Sequence, residues 1–455
     1  MTYQIIHAQW MLTDMGWREN SHLVVDASGY IDSIGDGASN GAINVDVLLP
    51  APANLHSHSF QRAMAGLTEH RGSAQNDDFW SWRDVMYRFL EILGPEDIEA
   101  IAAQVQMEML EAGYASVGEF HYLHHQHAGV QYDNPAELSL RILSAAIETG
   151  IGLTHLPVLY MRGGLDDRQL QGGQLRFGNS LENFALIHEN IKAALKACPD
   201  DFVLGVAPHS LRAVDQKGLF LSEKLAGAAP LHIHIAEQTK EIEEVEAALG
   251  AWPVRWLLDN ISVNERWCLV HATHMSQGEV FELAKSDAIA GLCPITEANL
   301  GDGVFNAPDY LAAGGKYGVG SDSNLRISLS EELRMLEYSQ RLTHRRRNVI
   351  ADATRSCGRC LYEDAAAGGA QALGRKSGRI QAGYLADLTA LNAAYFSPQT
   401  HSGDTLLDEW IFAKDDENVS DVWSAGRHVV RDGKHVKRDA VKKRFDNIMK
   451  KLRAM

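Results

Sequence analysis

The most informative stretch of the chain is an apolar run that ends in two histidines, Val47-Leu-Leu-Pro-Ala-Pro-Ala-Asn-Leu-His-Ser-His58. In a β-strand, residues i and i+2 point to the same face. His56 and His58 can therefore aim both imidazoles at one divalent metal ion, because each ring supplies a neutral nitrogen donor. The His-x-His spacing is a weak signal by itself, since a packed and hydrogen-bonded pair of histidines has the same spacing.

Three more polar residues close apolar runs further along the chain. His234 ends Leu231-His-Ile-His234, His271 ends Trp267-Cys-Leu-Val-His271, and Asp322 ends Tyr317-Gly-Val-Gly-Ser-Asp322. Parallel strands bring their carboxyl ends to the same edge of a sheet, and in a (β/α)8 barrel the active-site residues gather at that edge. We therefore expect these side chains to converge with the first two histidines.

The middle of the chain alternates predicted strands and helices eight times. Most of the strands are short apolar runs without polar alternation, which is typical of a parallel sheet that is covered on both faces. They are Val45 to Leu55, Ala115 to Phe120, Gly152 to Leu159, Phe202 to Ala207, Leu231 to Ala236, Trp267 to His271, Ala288 to Cys293 and Lys316 to Gly320. This repetition predicts an α/β fold with a closed (β/α)8 barrel of the TIM type.

The two ends of the chain have a different pattern, with short strand-like pieces separated by turns. We expect residues 1–48 and 375–435 to pair into one small β-sandwich domain, with the barrel of residues 49–374 inserted between them. Residues 436–455 have a basic amphipathic pattern, which predicts a C-terminal helix. A solvated helix that packs on the barrel or on a partner subunit fits this pattern better than a membrane anchor does.

Composition limits the classes of function. The formal net charge of −17 argues against nucleic acid as the main partner, because phosphate binding needs a basic surface. No apolar stretch reaches the roughly 20 residues that cross a bilayer, and the amino terminus lacks the basic-then-apolar plan of a secretory signal. We therefore expect a cytoplasmic enzyme without a membrane partner. An anionic ligand would need specific arginines that create a local positive pocket.

The cysteines do not indicate a disulfide framework, because their number, 5, is odd. Cys357 and Cys360 have the spacing of a redox or zinc motif, but no second pair with this spacing accompanies them. Two reduced thiols on a helix are the expected arrangement.

Several local strings resemble the amidohydrolase superfamily, and within it the aminohydrolase branch. They are His56-Ser-His-Ser-Phe-Gln-Arg-Ala-Met-Ala-Gly66, Ala207-Pro-His-Ser-Leu-Arg212, His234-Ile-Ala-Glu-Gln238, Leu292-Cys-Pro-Ile-Thr-Glu-Ala-Asn-Leu-Gly-Asp302 and Gly320-Ser-Asp-Ser-Asn-Leu-Arg326. The similarity covers nearly the whole chain, and one small departure is Ile295, where a threonine is common. The resemblance implies a metal-dependent (β/α)8 barrel with a β-sandwich built from both termini.

The resemblance also implies one divalent metal ion, expected to be zinc, held by His56, His58, His234 and Asp322. Three imidazoles and one carboxylate leave room for a water, as hydrolytic zinc requires. The same ligands also accept iron, manganese or cobalt. Residues 203–209 contain no lysine at the end of the fourth strand, where relatives with two metals often have a carboxylated lysine. One metal is therefore favoured, and the pattern of the branch leaves His232 as a structural residue.

Three residues near the expected metal can move protons or stabilise charge. Glu237 follows His234 by three residues, and a carboxylate there can take a proton from the attacking water and pass it to the leaving nitrogen. A solvated glutamate at a helix start is the alternative, because acidic residues favour helix N-termini. His271 can polarise the reacting group or hydrogen-bond Asp322, unless it is a buried structural histidine. Asp322 can serve both as a ligand and as a proton acceptor.

Four further residues predict a pocket for an anionic small molecule. The planar guanidinium of Arg212 matches a carboxylate with two parallel hydrogen bonds, and His209 lies three residues earlier on the same turn. Tyr122 follows the second strand, and Gln61 lies in the turn after the first histidine pair. Ordinary packing is the alternative for each of these two. Arg83 is a weaker candidate on a predicted loop over the mouth of the pocket.

Within the branch, the strings are most similar to the deiminases that convert N-formimidoyl-L-glutamate into N-formyl-L-glutamate and ammonia in histidine degradation. This choice of substrate depends mainly on Gln61, His209 and Arg212. A purine or a triazine is the nearest alternative substrate, but such pockets need stacking aromatic rings rather than an arginine. Release of formamide instead of ammonia is another alternative, and so is a barrel scaffold that has lost its metal. The family also implies a homodimer.

Overall fold

The structure, a computed structural model, describes residues 3–69, 86–87, 89–396 and 402–453. Arg83 lies outside these residues, so its predicted position over the pocket stays a prediction. The described part of the chain consists of three β-sheets with helices between their strands. Within that part, none of the helices combines the length and the apolar surface that a membrane span needs.

The order of strands and helices alternates through the middle of the chain. The strands are β1 Gln4–Thr13, β2 Gly16–Val25, β3 Ile31–Asp36, β4 Ile43–Pro50, β5 Ala53–Ser57, β6 Ser116–His121, β7 Gly152–Leu159, β8 Val203–Leu204, β9 Ala207–Pro208, β10 Leu231–Ile235, β11 Trp267–His271, β12 Ile289–Leu292, β13 Lys316–Val319, β14 Leu388–Leu391, β15 Val419–Ser424, β16 Arg427–Arg431 and β17 Lys434–His435. The α-helices with described bounds are α1 Pro95–Glu111, α2 Glu137–Thr149, α3 Leu181–Leu195, α4 Gln216–Ala226, α5 Thr239–Leu249, α6 Pro253–Asn260, α7 Gln277–Lys285, α8 Pro294–Leu300, α9 Ala307–Ala312, α10 Leu329–His344, α11 Cys357–Ala372, α12 Asp404–Ala413 and α13 Arg438–Arg453. Short 3-10 helices lie at Ser59–Met64, His127–Gly129, Gly172–Arg176, Ala393–Tyr395 and Asp416–Asn418.

The predicted parallel strands lie in two parallel sheets. One has the order β5-β6-β7-β8, with β9 also paired to β7, and the other has the order β10-β11-β12-β13. One isolated parallel bridge joins Ser57 to Asp322 and another joins Val206 to Leu231, so the two sheets meet at both edges. Every residue of β5, β6, β7, β10 and β11 is buried. This burial is typical of a parallel sheet that is covered on both faces, and even the polar residues of these strands, such as Glu119 and His232, are buried.

Two segments predicted as single strands are each divided, and that prediction is wrong. Residues 45–55 contain the end of β4 and the start of β5, and residues 202–207 contain β8 and the start of β9. The first break includes Pro52, which has no backbone N–H to donate to a neighbouring strand. At the second break, Val206 pairs with Leu231 of the other sheet. As a result, β4 belongs to the sheet of the termini, and β5 begins the parallel strands.

Both ends of the chain meet in one terminal sheet. Its strands have the order β17-β16-β15-β14-β4-β1-β2-β3. Its core includes Ile6, Leu48, Leu388 and Trp423, none of which is exposed. The strands of the two termini therefore pair with each other. They form one hydrogen-bonded sheet, whereas a β-sandwich consists of two sheets packed face to face.

The C-terminal helix α13 packs against α1. Arg438 forms an ion pair with Glu111, and Lys451 Nζ lies 2.8 Å from Asp97 Oδ2. Basic side chains of this helix thus face carboxylates of α1.

The two cysteines with redox-like spacing begin helix α11 and are both buried. Burial raises the pKa of Cys357 and of Cys360 to about 12. Both thiols therefore stay protonated and unreactive at neutral pH, as expected for reduced cysteines packed on a helix.

Candidate functional site

The structure brings the residues predicted as metal ligands into one cluster, which we call the metal end of the site. It consists of His56, His58, His234 and Asp322, and all four are buried. One ligand atom from each lies within 4.8 Å of the others. His56 Nε2 is 3.0 Å from His234 Nε2, and Asp322 Oδ1 is 3.2 Å from the Nε2 atoms of both His56 and His58.

Backbone pairing between β5 and the segment after β13 sets this geometry. The His58 N–H donates to the Asp322 carbonyl, and the Asp322 N–H donates to the His56 carbonyl, each at 2.9 Å. Asp322 has a φ of +45°, in the left-handed region that few residues other than glycine adopt. His58 Nδ1 lies 2.9 Å from the carbonyl of Phe120. Nδ1 therefore donates the proton, and Nε2 turns its lone pair to the cluster.

The donors of the metal end fit a divalent cation. Burial lowers the pKa of His56 to about 3 and holds the pKa of His234 well below its usual value, so both rings are neutral at pH 7. Burial alone would raise the pKa of Asp322, but the neighbouring imidazoles of His56 and His58 lower it well below the usual range. Three imidazoles and one ionised carboxylate thus surround one point, and zinc and several other divalent metals accept this combination of nitrogen and oxygen donors.

Glu237 lies beside the metal end, two residues after β10. It is only 5% exposed, so the alternative of a solvated glutamate does not hold. Its Oε1 is 3.8 Å from His271 Nε2, and its Oε2 is 3.6 Å from Arg212 Nη2. Burial raises the pKa of Glu237, and the positive charges of His271 and Arg212 oppose that rise. A buried carboxyl group of this kind can accept a proton and return it.

His271 closes β11 with a φ of +70°. Its ring stacks on that of His234, with 5.6 Å between centroids. Its Nδ1 lies 3.2 Å from Glu297 Oε1. Burial alone would lower the pKa of His271, but Glu237, Glu297 and Asp322 raise it to about 10. The ring therefore presents an Nε2–H donor on the side of Glu237.

Glu297 is a residue of the site that sequence reasoning missed. It lies in the first turn of α8, accepts the Cys293 backbone N–H at 2.9 Å, and orients His271 through the contact just described. The signal that could have found it is the string Cys293-Pro-Ile-Thr-Glu297. A proline there starts a helix directly after a strand, which places a carboxylate at the carboxyl edge of the sheet.

The residues predicted to bind substrate line one cavity of about 220 Å³ beside the metal end. We call them the clamp end of the site: Gln61, Tyr122, His209 and Arg212. Gln61 Nε2 donates to the Tyr122 hydroxyl at 2.8 Å. The Tyr122 ring lies edge-on to His58 at 4.8 Å, and the His209 ring is 5.0 Å from that of His234. Apolar and aromatic side chains complete the wall, among them Met86, Tyr87, Tyr160, Phe177 and Leu300.

Arg212 is the buried cation of the clamp end, with 14% of its side chain exposed. Its Nη2 is 3.6 Å from Glu237 and its Nε is 3.9 Å from Glu241. Burial opposes the charge on Arg212, but these two carboxylates raise its pKa above the usual value. Both distances exceed a hydrogen bond, and the buried Nε–H has no hydrogen-bond partner. The guanidinium is therefore charged and has donor capacity for an anion in the cavity.

His232 differs from the metal ligand two residues after it. Its Nε2 lies 2.8 Å from the carbonyl of Ala372 at the end of α11, and the residue is not exposed. It does not belong to the metal end, and its contact is that of a structural residue.

Comparison with known proteins identifies the family to which this chain belongs. A model of the amidohydrolase family matches residues 47–429. The chain belongs to the amidohydrolase family. Among curated proteins, formimidoylglutamate deiminase of Pseudomonas aeruginosa is 48% identical over 435 residues, which cover 94% of this chain and 95% of that protein. A solved amidohydrolase from Brucella melitensis is 46% identical, with a TM-score of 0.94 and 99% of both chains covered.

More distant structures share the fold of this amidohydrolase. An adenosine deaminase from Xanthomonas campestris, solved with bound zinc, has a TM-score of 0.82 over 99% of both chains at 19% identity. The family match and these neighbours confirm the predicted fold in its main lines, a TIM-type α/β barrel with an extra domain. They also confirm the family that the motif strings indicated.

Proposed function

We propose that this amidohydrolase is a metal-dependent deiminase of N-formimidoyl-L-glutamate. The reaction adds water at the formimidoyl carbon and releases ammonia, which leaves N-formyl-L-glutamate as the second product. The observation that carries the proposal is that the metal end, Glu237 and Arg212 border one cavity. The similarity to the Pseudomonas aeruginosa protein named formimidoylglutamate deiminase supports the choice of substrate.

The charge of the clamp end favours a carboxylate substrate over a neutral heterocycle. Arg212 places a buried guanidinium in the cavity wall although the chain as a whole has a net charge of −17. A guanidinium can bind a carboxylate with two parallel hydrogen bonds. Purines and triazines lack a carboxylate, so this cation would give them no ionic partner. Tyr122 and Gln61 provide a hydroxyl and an amide for further polar contacts.

Each residue of the site has a separate role in the proposed hydrolysis. His56, His58, His234 and Asp322 would hold a divalent ion, and this ion would lower the pKa of a bound water towards about 7. Glu237 takes a proton from the attacking water and gives it to the nitrogen that leaves as ammonia. His271, oriented by Glu297, donates its Nε2–H to charge that develops at the attacked centre. Asp322 accepts a hydrogen bond from the same water and can accept its second proton, which then also passes to the departing nitrogen so that it leaves as NH3.

The clamp end supplies orientation rather than chemistry. Glutamate derivatives have several rotatable bonds, and fixing their carboxylates against Arg212 and Tyr122 removes much of this freedom before the reaction. Such positioning lowers the entropic part of the barrier. The apolar wall with Met86 and Phe177 limits access of bulk water to the reacting group.

We further propose the finer features of the enzyme. Zinc is the expected ion, because three imidazoles and a carboxylate match its preferred donors. Residues 49–374 form a closed (β/α)8 barrel, which the two bridges between the parallel sheets support. Residues 1–48 with 375–435 form the β-domain, and residues 436–455 form the terminal helix. The enzyme acts in the cytoplasm as a homodimer, without nucleic-acid or membrane partners; the net charge of −17 supports the absence of nucleic acid.

The test is an assay of purified enzyme with its metal on N-formimidoyl-L-glutamate. Ammonia is measured enzymatically, and NMR identifies the second product. We expect equal amounts of ammonia and N-formyl-L-glutamate, and about one zinc ion per chain by elemental analysis. Formamide with free glutamate would eliminate the deiminase. Turnover of a purine or triazine without turnover of N-formimidoyl-L-glutamate would change the substrate, and a chain without bound metal would support a scaffold.

A further inference from the structure

Glu241 is a buried carboxylate behind the cavity that the proposed mechanism does not use. It lies in the first turn of α5, four residues after Glu237, and it is 2% exposed. Its Oε2 accepts the backbone N–H of Glu237 at 3.1 Å. Its Oε1 has no hydrogen-bond partner, although it is buried. Burying a carboxylate oxygen without a hydrogen-bond partner costs free energy, which a nearby positive charge can offset.

The group that faces this oxygen is Arg212. Glu241 Oε1 is 3.9 Å from Arg212 Nε, and neither atom has a hydrogen-bond partner. On its other side, Arg212 Nη2 is 3.6 Å from Glu237 Oε2. The guanidinium therefore lies between two carboxylates. Glu241 interacts electrostatically with Arg212, and it also accepts a hydrogen bond from the backbone N–H of Glu237. No other residue described here makes both contacts.

We propose that Glu241 is a positioning residue that couples the substrate clamp to the proton carrier. Its negative charge holds the Arg212 guanidinium in the cavity wall, and its hydrogen bond to the Glu237 N–H fixes the main chain of the catalytic carboxylate. Substrate binding by Arg212 and proton transfer by Glu237 therefore depend on one side chain that touches neither substrate nor metal. This inference rests on the proposed function for its kinetic readout.

The structural alternative is that Glu241 only stabilises the start of α5, because acidic side chains commonly bond free N–H groups there. Two variants separate the possibilities. Glu241→Gln keeps the shape and an oxygen that can accept the Glu237 N–H, but it removes the charge opposite Arg212. Glu241→Leu removes both. Glu243→Gln is the matched control, because Glu243 is exposed on the same helix.

We expect Glu241→Gln to raise KM for N-formimidoyl-L-glutamate about ten-fold while kcat changes less than about three-fold. Glu241→Leu should raise KM and also lower kcat about ten-fold or more, because Glu237 loses its support. The control should keep both constants. Wild-type KM and kcat in Glu241→Gln, with only a lower Tm in Glu241→Leu, would show that Glu241 is a helix cap and overturn the proposal.

Crystal structures of the wild type and of both variants test the role of Glu241 without relying on any substrate. We expect the Arg212 guanidinium to move by about 1 Å or more in Glu241→Gln, a shift large enough to disturb catalysis. Glu237 should move in Glu241→Leu. If the wild type does not hydrolyse N-formimidoyl-L-glutamate, the proposed function fails, and these positions alone decide the role of Glu241. Unchanged positions of Arg212 and Glu237 would overturn it.

Discussion

The metal end and the clamp end of the cavity are built in different ways. At the metal end, main-chain hydrogen bonds of 2.9 Å join Asp322 to both His56 and His58, so the ligands move only if the strands move. At the clamp end, Arg212 follows the two-residue strand β9, and its guanidinium lies 3.6 to 3.9 Å from the flanking carboxylates. On the proposed function, the metal end therefore carries out the chemistry, and the turn after β9 selects the substrate.

This difference can be tested with two substrates. N-formimidoyl-L-glutamate engages both ends of the cavity, whereas formamidine has the reacting group without carboxylates. A change at the metal end should affect both substrates equally. A change at the clamp end should affect only the larger one.

Loss of a metal ligand should have the largest effect. Asp322→Asn removes the one anionic donor with little change in shape, so we expect loss of bound metal. We expect kcat/KM to fall at least about a thousand-fold on both substrates, because the activated water is lost. Elemental analysis and steady-state kinetics measure the two outcomes. Retained metal with retained activity would remove Asp322 from the site.

Loss of the clamp cation should separate the substrates. Arg212→Ala should raise KM for N-formimidoyl-L-glutamate about a hundred-fold and lower kcat, because a buried ionic partner and the orientation it gives are lost. Turnover of formamidine should stay near the wild-type level. An equal loss on both substrates would mean that Arg212 acts on the metal end, and unchanged kinetics would place it outside the pocket.

A substitution at Glu297 shows whether the reaction requires the orientation that this residue gives to His271. Glu297→Gln weakens the contact to His271 Nδ1, so we expect kcat to fall about ten-fold on both substrates while KM changes little. Glu265→Gln, an exposed glutamate near the start of β11, is the control. A rise in KM without a fall in kcat would instead assign Glu297 to substrate binding.

Tyr122 should contribute one polar contact at the clamp end. Tyr122→Phe removes the hydroxyl that accepts from Gln61 Nε2 and that can bind substrate. We expect KM for N-formimidoyl-L-glutamate to rise about five-fold, the change typical of one hydrogen bond. Kinetics with formamidine show whether the metal end is intact, and Tm shows whether packing is intact. A lower Tm without any change in KM would show that Tyr122 is a packing residue.

His232 should affect stability and leave activity intact, in contrast to His234 on the same strand. His232→Asn shortens the side chain that reaches the Ala372 carbonyl, so we expect the free energy of unfolding to fall by about 1–3 kcal/mol. Chemical denaturation measures the loss, and kcat/KM should stay at the wild-type level. Loss of metal in this variant would contradict the structural role of His232.

Much of the site follows from sequence spacing because strand ends obey a simple geometry. His56 and His58 share a face through their i, i+2 spacing, and parallel strands bring His234 to the same edge. Strand-end spacing does not indicate Glu241, and it indicates Glu297 only through the proline that starts its helix. Each lies in the first turn of a helix, where acidic residues are common for reasons of capping alone. Their contacts with Arg212 and His271 depend on how neighbouring βα units lie against each other.

Local periodicity in the amino-acid sequence predicts the βα alternation and the pairing of the termini, and the resemblance to amidohydrolases implies the four candidate metal ligands. The three-dimensional packing was needed to show where Pro52 divides the predicted first strand, and that the terminal strands share one sheet. It alone placed Arg212 between Glu237 and Glu241. Such contacts join side chains on different βα units, and their distances arise from the packing of the whole molecule, which no local pattern specifies.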